Sequence, residues 1–130
     1  MVGEAPAGKP LRFSQAQRLQ RSWEFDRARL EGQRIVKGCL ILNWRSADAE
    51  KGQGIPRLGV VTSRKIGNAV ARSRARRLMR EVFRHHQHDL QQSVDIILVA
   101  RQSIAGKTYR QVELDFLAAA KQARLIQGNR

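Results

Sequence analysis

The sequence predicts a single α+β domain whose elements run α-β-β-β-α-β-α. Three observations lead there. A chain of 130 residues suits one domain, able to bury roughly two-thirds of its unfolded surface, and 42% hydrophobic residues are enough to build a core. Apolar residues recur at helical spacing in three stretches, with short β-branched or continuous apolar runs between them. No repeat and no second domain is visible along the chain.

The elements follow in order. Residues 1–13 are expected to form a flexible segment, because Met1–Pro10 is small, polar and punctuated by Gly and Pro; residues 14–130 form the domain. From Ser14, Leu19, Trp23, Ala28 and Leu30 recur near i, i+4 spacing and predict a first helix that Gly32 stops. Arg34–Lys37 and Cys39–Trp44 read as two short strands around Gly38, Ser46–Pro56 as a loop, and Arg57–Ser63 as a third strand in which Gly59 marks a bulge or a close approach. A second helix follows, with Asn68 as its cap. Ala71, Ala75, Leu78, Met79, Val82 and Phe83 share one side of it, arginines the other, and Arg77 can pair with Glu81 at i, i+4. Val94–Ala100 is a nearly unbroken apolar run, as expected of a central strand. Thr108 and Gln111 make a capping box that opens a last helix, whose buried stripe is Val112, Leu114, Phe116, Leu117, Ala120 and Leu125.

Composition narrows the function. The formal net charge is +14, and the isoelectric point near 11.6 points to a polyanionic partner, most often nucleic acid. Residues 57–84 hold nine basic and one acidic side chain, more than half of the net charge. A field of one sign repels itself, so its retention in so short a stretch indicates use. No run approaches the roughly 18 apolar residues of a membrane span. Met1–Pro10 has neither the basic cluster nor the apolar centre of a secretory signal, and Cys39, the single cysteine, forms no internal disulfide. A cytoplasmic protein without membrane partners is expected.

Catalytic chemistry is poorly represented. Protein-borne metal catalysis needs clustered carboxylates, and here Glu24, Asp26, Glu31, Asp48, Glu50, Glu81, Asp89, Asp95, Glu113 and Asp115 are scattered. His85, His86 and His88 are better read as solvent-facing residues at a helix C-terminus than as metal ligands. Cys39 reads as packing, and Gly52-Gln53-Gly54 lacks the context of a phosphate loop. The arginine flank stands apart. Guanidinium binds phosphate bidentately and stacks on bases, whereas a merely solvated helix face predicts mixed signs. A strand rather than a helix precedes it, which argues against a DNA-groove reader and for a trough that takes single strands. Phe25 and Trp44 are either stacking faces in that trough or core residues.

The block Arg57–Phe83 is more specific. It runs from Arg57-Leu58-Gly59-Val60-Val61 through Arg64-Lys65-Ile66-Gly67-Asn68-Ala69-Val70 into Arg72-Ser73-Arg74-Ala75-Arg76-Arg77-Leu78. It closely resembles the signature of the bacterial ribonuclease P protein subunit, with agreement reaching back to Glu24-Phe25 and Gly32 and forward through Asp95–Arg101 into the last helix. The resemblance implies an α-β-β-β-α-β-α sandwich with a four-stranded sheet and a left-handed βαβ crossover, against the general right-handed rule. It implies a protein without small-molecule substrate, inactive alone. Such a protein assists endonucleolytic removal of the 5′ leader from precursor tRNA by a catalytic RNA whose magnesium is held mainly by the RNA subunit and the substrate. Arg72-Ser73-Arg74 stands where the family writes Arg-Asn-Arg, so Arg72 and Arg74, joined by Ser73, Arg76, Arg77 and Arg80, are the expected contacts to the RNA subunit. Phe25, Arg29, Arg64, Lys65, Asn68 and Arg101 match the leader cleft. Arg29 and Asn43 stand where relatives often carry aromatics, so charge should matter more than stacking. A ribosomal-type or RNA-chaperone protein is the alternative reading of the charge, without the ordered block.

Overall fold

The computed structural model describes residues 17–19, 25–26, 32–46, 55–90 and 93–126. Four strands, β1 (Gln33–Lys37), β2 (Leu40–Ser46), β3 (Arg57–Val61) and β4 (Val94–Ala100), form one sheet in the order β1-β2-β4-β3. β1 pairs antiparallel with β2, β2 antiparallel with β4, and β3 parallel with β4. Helix α1 (Ala69–His86) connects the parallel pair, and helix α2 (Tyr109–Gln122) follows β4. The expected α+β class and order hold from β1 onward.

Strand alternation places Leu40, Leu42, Leu58, Ile96 and Leu98 on one sheet face, under Leu78, Met79, Val82 and Phe83 of α1 and Val112 and Phe116 of α2. Phe83 and Phe116 are fully buried; truncating either to alanine should cost about 3–5 kcal/mol. The opposite face carries a smaller cluster, Leu19 and Ile97 with Phe25, Val61 and Val99 packed on it.

The caps follow the sequence. Asn68 Oδ1 accepts the Ala71 N–H at 2.9 Å, and Thr108 and Gln111 form the full reciprocal capping box.

Several expectations are corrected. Arg18 and Leu19 are not helical: they run beside the outer edge of β3, bridged in parallel to Leu58, and the Leu19 N–H donates to Leu58 O at 2.9 Å. An unpaired strand edge is a stronger demand on this segment than its helical spacing. Residues 25–26 are helical, while residues 1–16, the rest of the expected first helix, most of the 46–56 loop and Arg29 lie outside the described residues. Cys39 sits in the hairpin turn rather than a strand, and the first three strands are shifted by one or two residues from their expected ends, while β4 keeps its expected span. Leu114 is 49% exposed instead of buried, and Leu125 is buried but lies beyond the end of α2. Trp44 packs against the main core below the helices, which removes it as a stacking face.

Asp95 interrupts the otherwise apolar β4 for a structural reason. Register places Arg45 and Arg57 on either side of it. Arg57 Nε and Nη2 donate to its two carboxylate oxygens at 2.9 Å each, and Arg45 Nη1 donates at 3.4 Å. A carboxylate this buried is tolerated because both flanking strands supply its counter-charge.

Candidate nucleic-acid interface

The arginine flank of α1 exists, and its wiring is informative. Arg72 Nη1 donates to Gly67 O at 2.7 Å, and Arg74 Nη2 donates to Lys107 O at 2.7 Å. Arg76 reaches Thr62 Oγ1 at 2.8 Å and Ser73 Oγ at 3.1 Å. Every one of these acceptors is neutral. The guanidiniums are therefore held in place with their positive charge intact and further N–H donors available. Ser73 is exposed, and its hydroxyl serves Arg76, a role not expected from the sequence.

Farther along α1 the signs mix. Glu81 pairs with Arg84 at 2.8 Å, not with Arg77 as expected, and that hydrogen bond holds its carboxyl below the ordinary value of 4.5. Arg77 is exposed and acts on Glu81 only through space. Burial, then the neighbouring Arg18 and Arg76 guanidiniums, lower the pKa of Arg80 below the ordinary arginine value. Together Arg18, Arg77, Arg80, Glu81 and Arg84 line a shallow depression of about 430 Å³.

A second basic region lies where the parallel strands end. Arg64 and Lys65 are exposed on a short 3-10 turn after β3, opened by Ser63, whose Oγ accepts the Lys65 N–H at 3.3 Å. Gly67 closes that turn with φ of 142°, a conformation that favours glycine. Asn68, committed to its cap through Oδ1, has its amide nitrogen to offer a ligand. Arg101 leaves β4 at the same end of the sheet, its N–H donating to Cys39 O and its Nη1 to Gly38 O, each at 2.9 Å. The turns at 64–66 and 102–104 pack together, bringing Arg64, Lys65 and Arg101 into one neighbourhood.

Phe25 is half-buried on the sheet face away from the helices. It lies over Gly59, where an added Cβ would meet its ring at 2.5 Å, so Gly59 is the close-approach point its position suggested. Asn43, on that same face, is buried between its neighbours on β1 and β4.

Other candidate groups are structural. His86 Nε2 meets Glu113 Oε2 at 2.7 Å and so ties α1 to α2, while His85 bonds the Tyr109 hydroxyl at 2.8 Å; these histidines do more than face solvent. Cys39 is buried, and desolvation with a contact to Asp115 pushes its pKa to about 12, far from a reactive thiolate. Among the described residues no three His, Cys, Asp or Glu side chains gather to hold a metal ion. Arg57 and Arg45 occupy Asp95, Arg84 occupies Glu81, and Arg110 and His86 occupy Glu113. No helix among the described residues is long and apolar enough to cross a membrane.

Sequence reasoning missed Arg18, which tertiary pairing with β3 brings to α1, and Lys107, whose carbonyl fixes Arg74. No local pattern announces either.

A family model described as Ribonuclease P matches residues 13–124. The chain belongs to the ribonuclease P protein family. It is 34% identical over 110 residues to the ribonuclease P protein component of Halalkalibacterium halodurans, covering 85% of this chain and 90% of that one. Identity with the counterpart from Natranaerobius thermophilus is 31% over 117 residues, covering 90% and 98%. The solved ribonuclease P protein of Staphylococcus aureus superposes with a TM-score of 0.75 at 27% identity, over 85% of this chain and 98% of that one. That of Thermotoga maritima gives 0.71 at 25%, with the same coverage. The four-stranded mixed sheet with two helices is thus the family's fold.

Proposed function

We propose that this chain is the protein component of ribonuclease P and that it works by holding two RNAs together. The α1 flank around Arg72, Arg74, Arg76, Arg77 and Arg80 binds the catalytic RNA subunit. The surface formed by Phe25, Arg64, Lys65, Asn68 and Arg101 takes the 5′ leader of precursor tRNA. The observation that carries this is the wiring of Arg72, Arg74 and Arg76 to neutral oxygens. Charges so held are oriented for phosphate, whose bidentate fit to guanidinium makes the contact directional as well as attractive.

The protein's physical contribution is to screen repulsion between two polyanions and hold the scissile region in register, which lowers the entropic part of the barrier. The cleavage chemistry belongs to the RNA subunit, and magnesium sits on that RNA and the substrate; Asp95, Glu81 and Glu113 are each engaged by the protein's own cations. A cytoplasmic location belongs to the same reading.

Incubating the purified protein with precursor tRNA, with and without the RNA subunit, tests it. Cleavage is expected only with the RNA, and more strongly when the protein is added. Cleavage by protein alone would make it a nuclease in its own right, and failure to stimulate the RNA would reduce it to a general RNA binder.

A further inference from the structure

We propose that Asp115 is a positioning residue that sets Arg101 over the leader through the β1–β2 hairpin turn. The inference rests on the reading of Arg101 as a leader contact. Asp115 lies on α2, far in sequence from that turn, yet its Oδ2 accepts the Cys39 N–H at 2.9 Å. Gly38 presses on the same carboxylate so closely that a Cβ there would collide with it, and its φ of 57° also favours glycine. The turn is thereby clamped from the α2 side.

What the clamp holds is a pair of carbonyls. Gly38 O accepts from Arg101 Nη1 and Cys39 O from the Arg101 N–H, each at 2.9 Å. One turn thus fixes both the backbone and the guanidinium of an exposed arginine. With the clamp released, the two peptide groups rotate, the side-chain anchor is lost, and Arg101 must be ordered at the moment of binding. Immobilising a long side chain carries an entropic cost of about a rotamer-rich residue's freedom, which weakens the contact without removing the charge.

The test uses holoenzyme reconstituted from the chain and the RNA subunit, with dissociation constants measured for precursor tRNA and for mature tRNA lacking a leader. Arg101→Ala and Asp115→Ala are each expected to weaken precursor binding by about two- to fivefold, the upper range for one exposed charged contact, and to leave mature tRNA unchanged. The double variant should lose no more than Arg101→Ala alone. Asp115→Asn should restore affinity, because its amide oxygen can accept the same N–H. Should Asp115→Ala fail to fold, Asp115→Ser, whose shorter hydroxyl falls short of Cys39, carries the same expectation. The proposal is overturned by a folded variant at Asp115 that keeps full leader affinity while Arg101→Ala loses it. Additive losses in the double variant, or an equal loss for mature tRNA, overturn it too. No effect of Arg101→Ala would instead remove Arg101 from the leader cleft, and the proposal with it.

Discussion

Replacing Arg72 and Arg74 with glutamine should change how binding to the RNA subunit depends on salt, more than its strength at any one concentration. Both guanidiniums lean on backbone carbonyls, Gly67 O and Lys107 O, with no carboxylate to offset them, so each can displace a full counterion from RNA. A lost phosphate contact reduces the slope of log K against log salt by about 0.7–0.9. Two contacts remove about 1.4–1.8, so between 50 and 200 mM salt the variant's affinity should fall roughly seven- to twelvefold less than the parent's. Filter binding or fluorescence anisotropy across that range gives the slope directly, and circular dichroism checks that the helix persists. Arg84→Gln is the internal control, since its charge is already shared with Glu81 and its slope change should be smaller. A double variant with the parental slope would refute phosphate pairing by Arg72 and Arg74.

Three further outcomes follow from the geometry. Asp95→Ala removes the buried carboxylate that Arg45 and Arg57 share and should cost about 3 kcal/mol in urea unfolding, whereas a loss below about 1 kcal/mol would make the cluster incidental. The Glu81 carboxyl is held below 4.5 chiefly by Arg84; at Glu113 burial pushes upward, but hydrogen bonds from His86 and Arg110 outweigh it. Both groups therefore contribute stability that is fully present above the ordinary value of 4.5 and is lost as pH falls through their lowered folded values. Thermal melts of Glu81→Gln/Glu113→Gln should show a flatter acid limb; an identical limb would contradict the pairing. Cys39, pushed to about 12, should resist iodoacetamide at pH 8 in the native protein and react once unfolded, and rapid native labelling would show the turn to be open.

The elements legible in the sequence were those whose signals are local. The α1 stripe, the β4 run and the Thr108–Gln111 box are written in spacing and cap chemistry, and the structure repeats them nearly residue for residue. Arg18 and Leu19 were misread because an apolar i, i+4 pattern cannot foresee an unpaired strand edge elsewhere in the chain. Asp95 looked like a defect in a buried strand, since only register brings Arg45 and Arg57 beside it. The arginine flank was plain from sign and period. Its partners were not, because Gly67, Thr62 and Lys107 contribute carbonyl or hydroxyl oxygens that carry no compositional signature.

Those partners divide eight of the described arginines into two kinds. Arg45, Arg57, Arg84 and Arg110 meet carboxylates and hold the fold together. Arg72, Arg74, Arg76 and Arg101 meet neutral oxygens, and topology explains why such acceptors were at hand. Val61 pairs with Val99 in the parallel ladder, and Leu40 pairs with Ala100 in the antiparallel one. The exit of β3, the exit of β4 and the β1–β2 hairpin turn therefore all lie at one end of the sheet. Carbonyls in turns are not consumed by ladders, so this end offers a row of acceptors: Gly38, Gly67 and Lys107, with the Thr62 hydroxyl. A guanidinium anchored there loses little freedom when phosphate arrives and surrenders none of its charge beforehand. The same +14 spread over freely rotating side chains would attract RNA just as far away but dock it less selectively, and it is this difference that separates a positioning subunit from a generic polycation.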